Sequence, residues 1–280
     1  MSAPDFVAVG HVTLDHFGGV TRPGGAALYA AVTAQRLGLS AAILTSHAAD
    51  FLLDDVPTQI EVVTLEAGET TAFEHRAEGG ERVLRARSTA RPLAAVDLPE
   101  DWRAAPLVML APVLQEVDPT LAAAFADAAI GAEVQGWLRV VDRGGAVGAG
   151  RWASPNAVLD RLQAVFVSAH DTRGQESQVA EWVQRVPLAV VTAGAAGALL
   201  YVNGDRYEVR PRRTREVDPT GAGDVFAATF LIHYDRHGDP WEAAEAATCA
   251  ASLSIEGEGW SAVPDAATLG ATLEAYRARR

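Results

Sequence analysis

Short apolar runs bounded by turn residues recur along this 280-residue chain and alternate with segments of helical pattern. Runs that are apolar on both faces suit strands covered on both sides, and crossover helices join such strands into a parallel sheet. The spacing predicts strands over Phe6–Gly10, Ala41–Thr45, Leu107–Ala111, Leu138–Asp142, Val165–Ser168 and Leu188–Thr192. Between the first two, Ala26–Leu37 has good helix propensity and stops at Gly38, a common C-terminal cap. Asn203-Gly204, set between Ala198–Val202 and Arg206–Val209, is a strong hairpin signal and predicts an antiparallel edge. The rest of the chain reads as helical and ends in Ala266–Arg279. Residues His11–Thr21 and Thr70–Ser88 fall outside the alternation and read as half-exposed strands. No internal repeat, low-complexity tract or linker interrupts the chain, so one domain over 1–280 is expected.

Composition narrows the chemistry. The formal net charge is −13, which argues against nucleic acid as the main partner. All 23 basic residues are arginine, so a Walker A lysine, a protein-kinase strand lysine and a Schiff-base lysine are all excluded. Any phosphate must therefore be met by arginine, backbone amides or a metal ion. Cys249 is the one cysteine; it lies in a run of small residues and reads as a packed core thiol, with no intrachain disulfide to form. The start, Met-Ser-Ala-Pro-Asp, lacks the basic and apolar regions of a signal peptide, and no apolar run reaches the ~20 residues of a membrane span. A cytoplasmic protein without a membrane partner is the expectation.

The densest chemical signal is Asp218-Pro-Thr-Gly-Ala-Gly-Asp224, followed by the apolar run Val225–Ile232. Glycines 221 and 223 permit a tight turn. A buried helix behind them would aim its unpaired N–H groups into that turn and attract an anion. Asp224 then falls in the first helical turn, where its carboxylate could take a proton from an attacking hydroxyl. A second glycine pair, Gly24-Gly25, opens the first predicted helix, and Asp15 follows the first strand near the carboxyl edge where open α/β sheets bind ligands. The string Gly144–Gly150 does not follow a first strand in the manner of a dinucleotide fingerprint and reads as a flexible loop.

The run DPTGAGDVFAATF resembles the C-terminal signature of the ribokinase-like (PfkB) carbohydrate kinases, and Gly10–Asp15 with Arg22–Ala31 resembles that family's substrate-side motifs. The resemblance implies an α/β fold: a three-layer α/β/α sandwich with a mostly parallel sheet and a small β lid from about 11–21 and 70–88. It implies Asp224 as catalytic base and the amides of Gly221, Ala222 and Gly223 as an anion hole. Asp15, Gly24, Gly25 and Tyr29 would bind the acceptor; Tyr29 stands where the family often has Asn. Thr192, Gly194 and Gly197 would lie under an ATP molecule, with Thr220, Cys249 and Ser252 around the nucleotide. Many relatives carry Asn-x-x-Glu for Mg²⁺; this chain has Ser168-Ala-His-Asp171 there, which leaves Asp171 and, after the preceding predicted strand, Asp142 as metal candidates.

The implied activity is ATP-dependent phosphorylation of a sugar or cyclitol hydroxyl. Arg82–Pro99, Ser254–Trp260 and Gly24–Ala27 with the following aromatic are loosely similar to plant-type myo-inositol kinases, a branch of the same family, which favours a cyclitol. A nucleoside kinase on the same fold is the alternative, as is a non-catalytic sugar-binding or regulatory protein. An oxidoreductase is a distant third. The unpaired edges of a lid sheet would also suit a homodimer.

Overall fold

The computed structural model describes residues 3–78 and 81–279; Gly79 and Gly80 of the expected lid, and the terminal Met1, Ser2 and Arg280, lie outside the described residues. In chain order the strands are β1 (Phe6–Val9), β2 (Thr13–Phe17), β3 (Val20–Gly24), β4 (Ala41–His47), β5 (Ile60–Glu66), β6 (Ala72–Glu78), β7 (Glu81–Ser88), β8 (Leu107–Leu110) and β9 (Ala129–Glu133). They continue with β10 (Arg139–Val141), β11 (Val147–Ala149), β12 (Ala164–Ser168), β13 (Leu188–Thr192), β14 (Ala198–Val202) and β15 (Asp205–Val209). The α-helices are α1 (Ala26–Arg36), α2 (Gln135–Leu138), α3 (Glu176–Trp182), α4 (Ala222–His237), α5 (Pro240–Ser254) and α6 (Ala266–Arg277).

The described residues form a nine-stranded sheet in the order β15-β14-β13-β12-β9-β8-β1-β4-β5. Pairing is parallel from β5 through β13, and β14 and β15 add the antiparallel edge expected from Asn203-Gly204. The strands at the middle of the sheet, FVAV and LVML, are buried at every position, as continuous apolar runs require when both faces are covered. On one face α1, α4 and α5 close a core that includes Leu28, Met109, Phe166 and Phe230. The other layer departs from the expected sandwich in detail. It is built mainly of short 3₁₀ turns and irregular chain, with α3 as its longest α-helix, packed through Trp102, Trp137, Trp152 and Trp182. Prolines at 92, 99, 106, 112, 119 and 155 punctuate this half and prevent long helices from forming. Stacked and edge-on indoles (Trp137–Trp152 at 5.0 Å, Trp152–Trp182 at 5.2 Å) fill the layer instead.

Two corrections to the strand pattern bear on the site. Leu138–Asp142 is not a strand of the central sheet. That place belongs to Ala129–Glu133, whose run Ala-Ile-Gly-Ala is apolar but low in β-branched residues. The chain then turns through α2, and β10 pairs with β11 in an antiparallel hairpin. The glycine string is therefore ordered as this hairpin, not as a flexible loop. Its turn docks on the lid, where the Ala86 N–H donates to the Gly145 carbonyl at 2.9 Å. The lid is a second sheet, β3-β2-β6-β7, drawn from the two segments that broke the alternation. Strand β5, with its mixed Glu-Val-Val-Thr-Leu-Glu surface, is an edge strand that the pattern of apolar runs did not mark. No helix among the described residues is long and apolar enough to cross a membrane.

His233 on α4 gives the fold a pH signature. Burial, reinforced by His237, Arg236 and Arg277, lowers its pKa to about 4. The unfolded chain titrates this group near pH ~6.5, so between those values the unfolded state binds the extra proton. The contribution to stability is complete above the upper value and is lost as pH falls toward the lower. Urea unfolding at about pH 7 and about pH 5 should show a smaller decrease in stability for His233→Gln than for the native chain.

Candidate active site

The carboxyl ends of the parallel strands, the lid and the start of α4 enclose one long cleft of about 1310 Å³. At its centre stands the turn before α4. Gly221 takes the N-cap place with φ of +79°, and no side chain caps the helix. The backbone there is left-handed, and a Cβ on Gly221 would meet Cε1 of Tyr29 at 2.2 Å. Glycine is thus required twice, by the turn and by the ring of α1 that presses against it. The Ala222 N–H reaches back to the Pro219 carbonyl at 3.3 Å, whereas those of Gly223 and Asp224 make no backbone hydrogen bond. Among the described residues the Gly221 N–H makes none either, so of the expected trio Gly221 and Gly223 keep a free donor, Asp224 adds one, and Ala222 does not, at the positive end of a 16-residue helix.

Asp218 fixes the turn from below. It accepts hydrogen bonds from the Thr220 N–H (3.0 Å), the Gly259 N–H (3.3 Å) and the Arg22 guanidinium (3.2 Å). Burial works to raise its pKa, but the bonds from Thr220 and Gly259 and the charge of Arg22 outweigh it and hold the carboxyl below its ordinary range. Arg22 belongs to lid strand β3 and also pairs with Glu258 at 2.9 Å, so the lid is tied to the anion turn.

In the lid sheet, Asp15 of β2 is buried and accepts from the Thr13 hydroxyl at 3.2 Å, with His75 Nε2 at 3.7 Å. Gly24 packs on it: a Cβ there would lie 2.2 Å from Asp15 Oδ2, so Gly24 makes room for the carboxylate and is not itself part of the cleft wall. Gly25 does line the cleft; its φ of +103° and the His11 carbonyl beside it leave no place for a side chain. Tyr29 also faces the cleft. Burial first, then the charges of Asp224, Asp218 and Asp15, raise the pKa of its hydroxyl, which stays protonated.

Three residues of this end were not singled out in the sequence: Glu133, Gln135 and Arg139. Each was hidden by reading 138–142 as a sheet strand. The signal was present as polar side chains directly after the apolar run 129–132, where a parallel strand delivers its C-terminal residues to a ligand. Arg139 donates to the Val113 carbonyl at 2.9 Å, and its guanidinium lies 5.4 Å from the Phe73 ring centre. Burial lowers its pKa, while the carboxylates of Asp171, Asp224, Glu116 and Asp15 act in the opposite direction. Burial also raises the Asp224 pKa; the hydrogen bond with Glu133 and the charge of Arg139 oppose this, and Asp15 and Asp171 add to it.

At the other end, Thr192, Gly194, Gly197, Thr220 and Ser252 line the cleft, together with Thr248, Ala251 and Ile255. Cys249 does not: it points into the core of α5, fully buried, as small-residue packing requires. Three arginines also reach this half. Arg212 bonds Glu256 (2.8 Å) and Ser252 (3.2 Å), while Arg173 and Arg213 are exposed.

The metal candidates separate. Asp171 lines the cleft and accepts from the Ser168 hydroxyl (2.5 Å) and the Gln135 amide (2.9 Å), both through Oδ2. Asp142 sits outside the cleft, where its Oδ1 accepts the N–H groups of Gly144 and Ala146 and shapes the hairpin turn. No group of three His, Cys, Asp or Glu side chains among the described residues could cage an ion. Asp171 by itself suits a hydrated Mg²⁺ held mainly by water and phosphate oxygens.

The model of the pfkB family carbohydrate kinases matches residues 159–266, the stretch that contains the anion turn. A pyrophosphate-dependent kinase of the ribokinase family, solved with a pyrophosphate analogue and myo-inositol, superimposes with a TM-score of 0.76 at 22% identity, over 91% of this chain and 96% of that one. This chain has the fold of the ribokinase-family structures. It is similar to a cytidine kinase of Thermococcus kodakarensis, 24% identical over 85% of this chain and 91% of that protein. Shorter stretches resemble a nucleoside kinase of Methanocaldococcus jannaschii (25% identical, 36% of this chain) and an inositol 3-kinase of Zea mays (36% identical, 35% of this chain). Those two matches span only 35% and 26% of the relatives' lengths.

Gly221→Ala should keep the fold but displace Tyr29 and distort the turn. Binding of a non-hydrolysable phosphate donor, measured by calorimetry, should weaken by about tenfold or more, as the loss of one or two charge-assisted hydrogen bonds implies.

Proposed function

We propose that the protein transfers a phosphoryl group from a polyphosphate donor to a hydroxyl of a cyclitol or small sugar. The observation that carries this reading is the placement of Asp224. Its carboxyl stands in the first turn of α4 beside the free amides of Gly223 and its own N–H, in the same cleft as Asp15. Amides at that point stabilise charge on the transferring phosphoryl, and a carboxylate one residue on takes the acceptor's proton. Asp15 and Arg139 offer an acceptor and a donor to neighbouring hydroxyls of a polyol ring, with Tyr29 closing one side. Phe73, Val83 and Leu84 of the lid supply an apolar cover that excludes water.

ATP with Mg²⁺ is the donor we favour, with the adenosine toward Thr248–Ile255 and the phosphates over Gly194–Gly197 and the anion turn. Bound Mg²⁺ would neutralise donor phosphate charge, and Asp171 is the residue placed to hold it through water. Pyrophosphate is a second reading. It is favoured by Arg173, Arg212 and Arg213 on the donor half of a chain that has no lysine, and by the pyrophosphate dependence of the solved kinase. For the acceptor, the myo-inositol in that structure and the inositol 3-kinase relative support a cyclitol, while the cytidine and nucleoside kinases support a nucleoside.

A coupled assay that crosses polyols, sugars and nucleosides with ATP and pyrophosphate should give stimulated donor cleavage with a cyclitol or sugar and little with a nucleoside. Binding of donor without turnover on any acceptor would instead assign a non-catalytic sugar-binding role.

A further inference from the structure

Glu133 lies at the carboxyl end of β9, a strand against which α4 packs, and is 6% exposed. It is not among the residues that line the cleft. The two carboxyls are in hydrogen-bonding contact with each other. Oε1 of Glu133 is buried and finds no donor among the described residues. The nearby guanidinium of Arg139 donates to the Val113 carbonyl. Two ionised carboxylates in contact, with one oxygen buried and unpartnered, would carry both the desolvation and the like-charge cost. A single proton between them removes most of both.

We propose that Glu133 is a positioning residue for the base: it keeps its proton at neutral pH, donates that O–H to the Asp224 carboxylate, and leaves Asp224 one oxygen free for the acceptor hydroxyl. The groups that face the pair agree with this division. Asp15 on β2 and Asp171 after β12 bring further negative charge, the Tyr29 hydroxyl on α1 is neutral, and Arg139 on β10 is the one cation among them. Three carboxylates with one guanidinium favour a proton on the most buried acid. Burial first, and then Asp224 itself, holds the Glu133 pKa well above the ordinary carboxylate range.

In the transfer step the acceptor O–H bond breaks and its proton passes to Asp224. The acceptor oxygen forms the new O–P bond, and the donor's bridging P–O bond breaks with its electron pair on the departing phosphate. The carboxyl pair changes from one proton and a charge of −1 to two protons and no charge. It therefore becomes easier to keep buried as the reaction proceeds.

Part of the test needs no activity. Infrared spectra of the intact protein at neutral pH should show the C=O stretch of a protonated carboxyl, absent in Glu133→Gln, and the band should titrate away only at alkaline pH. Absence of the band in the native protein, or its persistence in the variant, would overturn the inference whatever the protein catalyses. The second arm rests on the phosphotransferase reading. The alkaline limb of kcat set by loss of the Glu133 proton should vanish in Glu133→Gln, whose amide still donates. In Glu133→Ala, which offers no donor, the acid limb should move to higher pH and kcat should drop. A merely structural role would lower stability and leave both limbs in place. If the band is present but no acceptor is phosphorylated, the function fails and the carboxyl pair stands.

Discussion

The contact between the Tyr29 ring and the bare backbone of Gly221 underlies the rest of the cleft. It seats the N-terminus of α4 against α1 at the carboxyl edge of the sheet, where β9 and β12 also end. Because glycine is the residue that fits both the left-handed backbone and the ring, the helix can approach only in this pose. Its free amides, Asp224 and the pair with Glu133 all follow from that one seating. On the opposite side, Asp218 and Arg22 carry the same constraint to the lid, so the lid sheet is tied to the turn before α4.

Charge is the second constraint. Asp15, Glu133, Asp171 and Asp224 converge in a protein of net charge −13, and Arg139 is the cation set among them. With no lysine anywhere, no mobile ammonium can cross from donor to acceptor. In the proposed reaction rigid, directional groups would do the stabilising instead: the amides at the start of α4 and a guanidinium fork held by the Val113 carbonyl. Preorganised donors of this kind cost little reorganisation when charge develops.

Much of this was legible in the residues. Apolar runs marked most of the parallel strands, Asn203-Gly204 marked the antiparallel edge, and the Asp218–Asp224 string placed a glycine turn before a buried helix. What was not legible has physical causes. Ala129–Glu133 is too rich in small residues to stand out as a strand, so the polar residues it delivers, Glu133 and then Gln135 and Arg139, were missed. Cys249 was drawn toward the nucleotide by its place in α5, although helix rotation turns it into the core. Asp142 resembles a strand-end carboxylate in the sequence because the apolar run of its hairpin has the pattern of a sheet strand. In each case periodicity locates an element, while the direction of a side chain depends on packing that no local pattern records.

Asp224 is the group proposed to take the acceptor's proton. Phosphorus NMR of the protein incubated with donor and a cyclitol such as myo-inositol tests this most directly. The native protein should build up a phosphomonoester resonance, and Asp224→Asn should form it at least ~10²-fold more slowly while still binding the donor. An Asp224→Asn variant that makes the ester at a rate close to the native one would contradict the account.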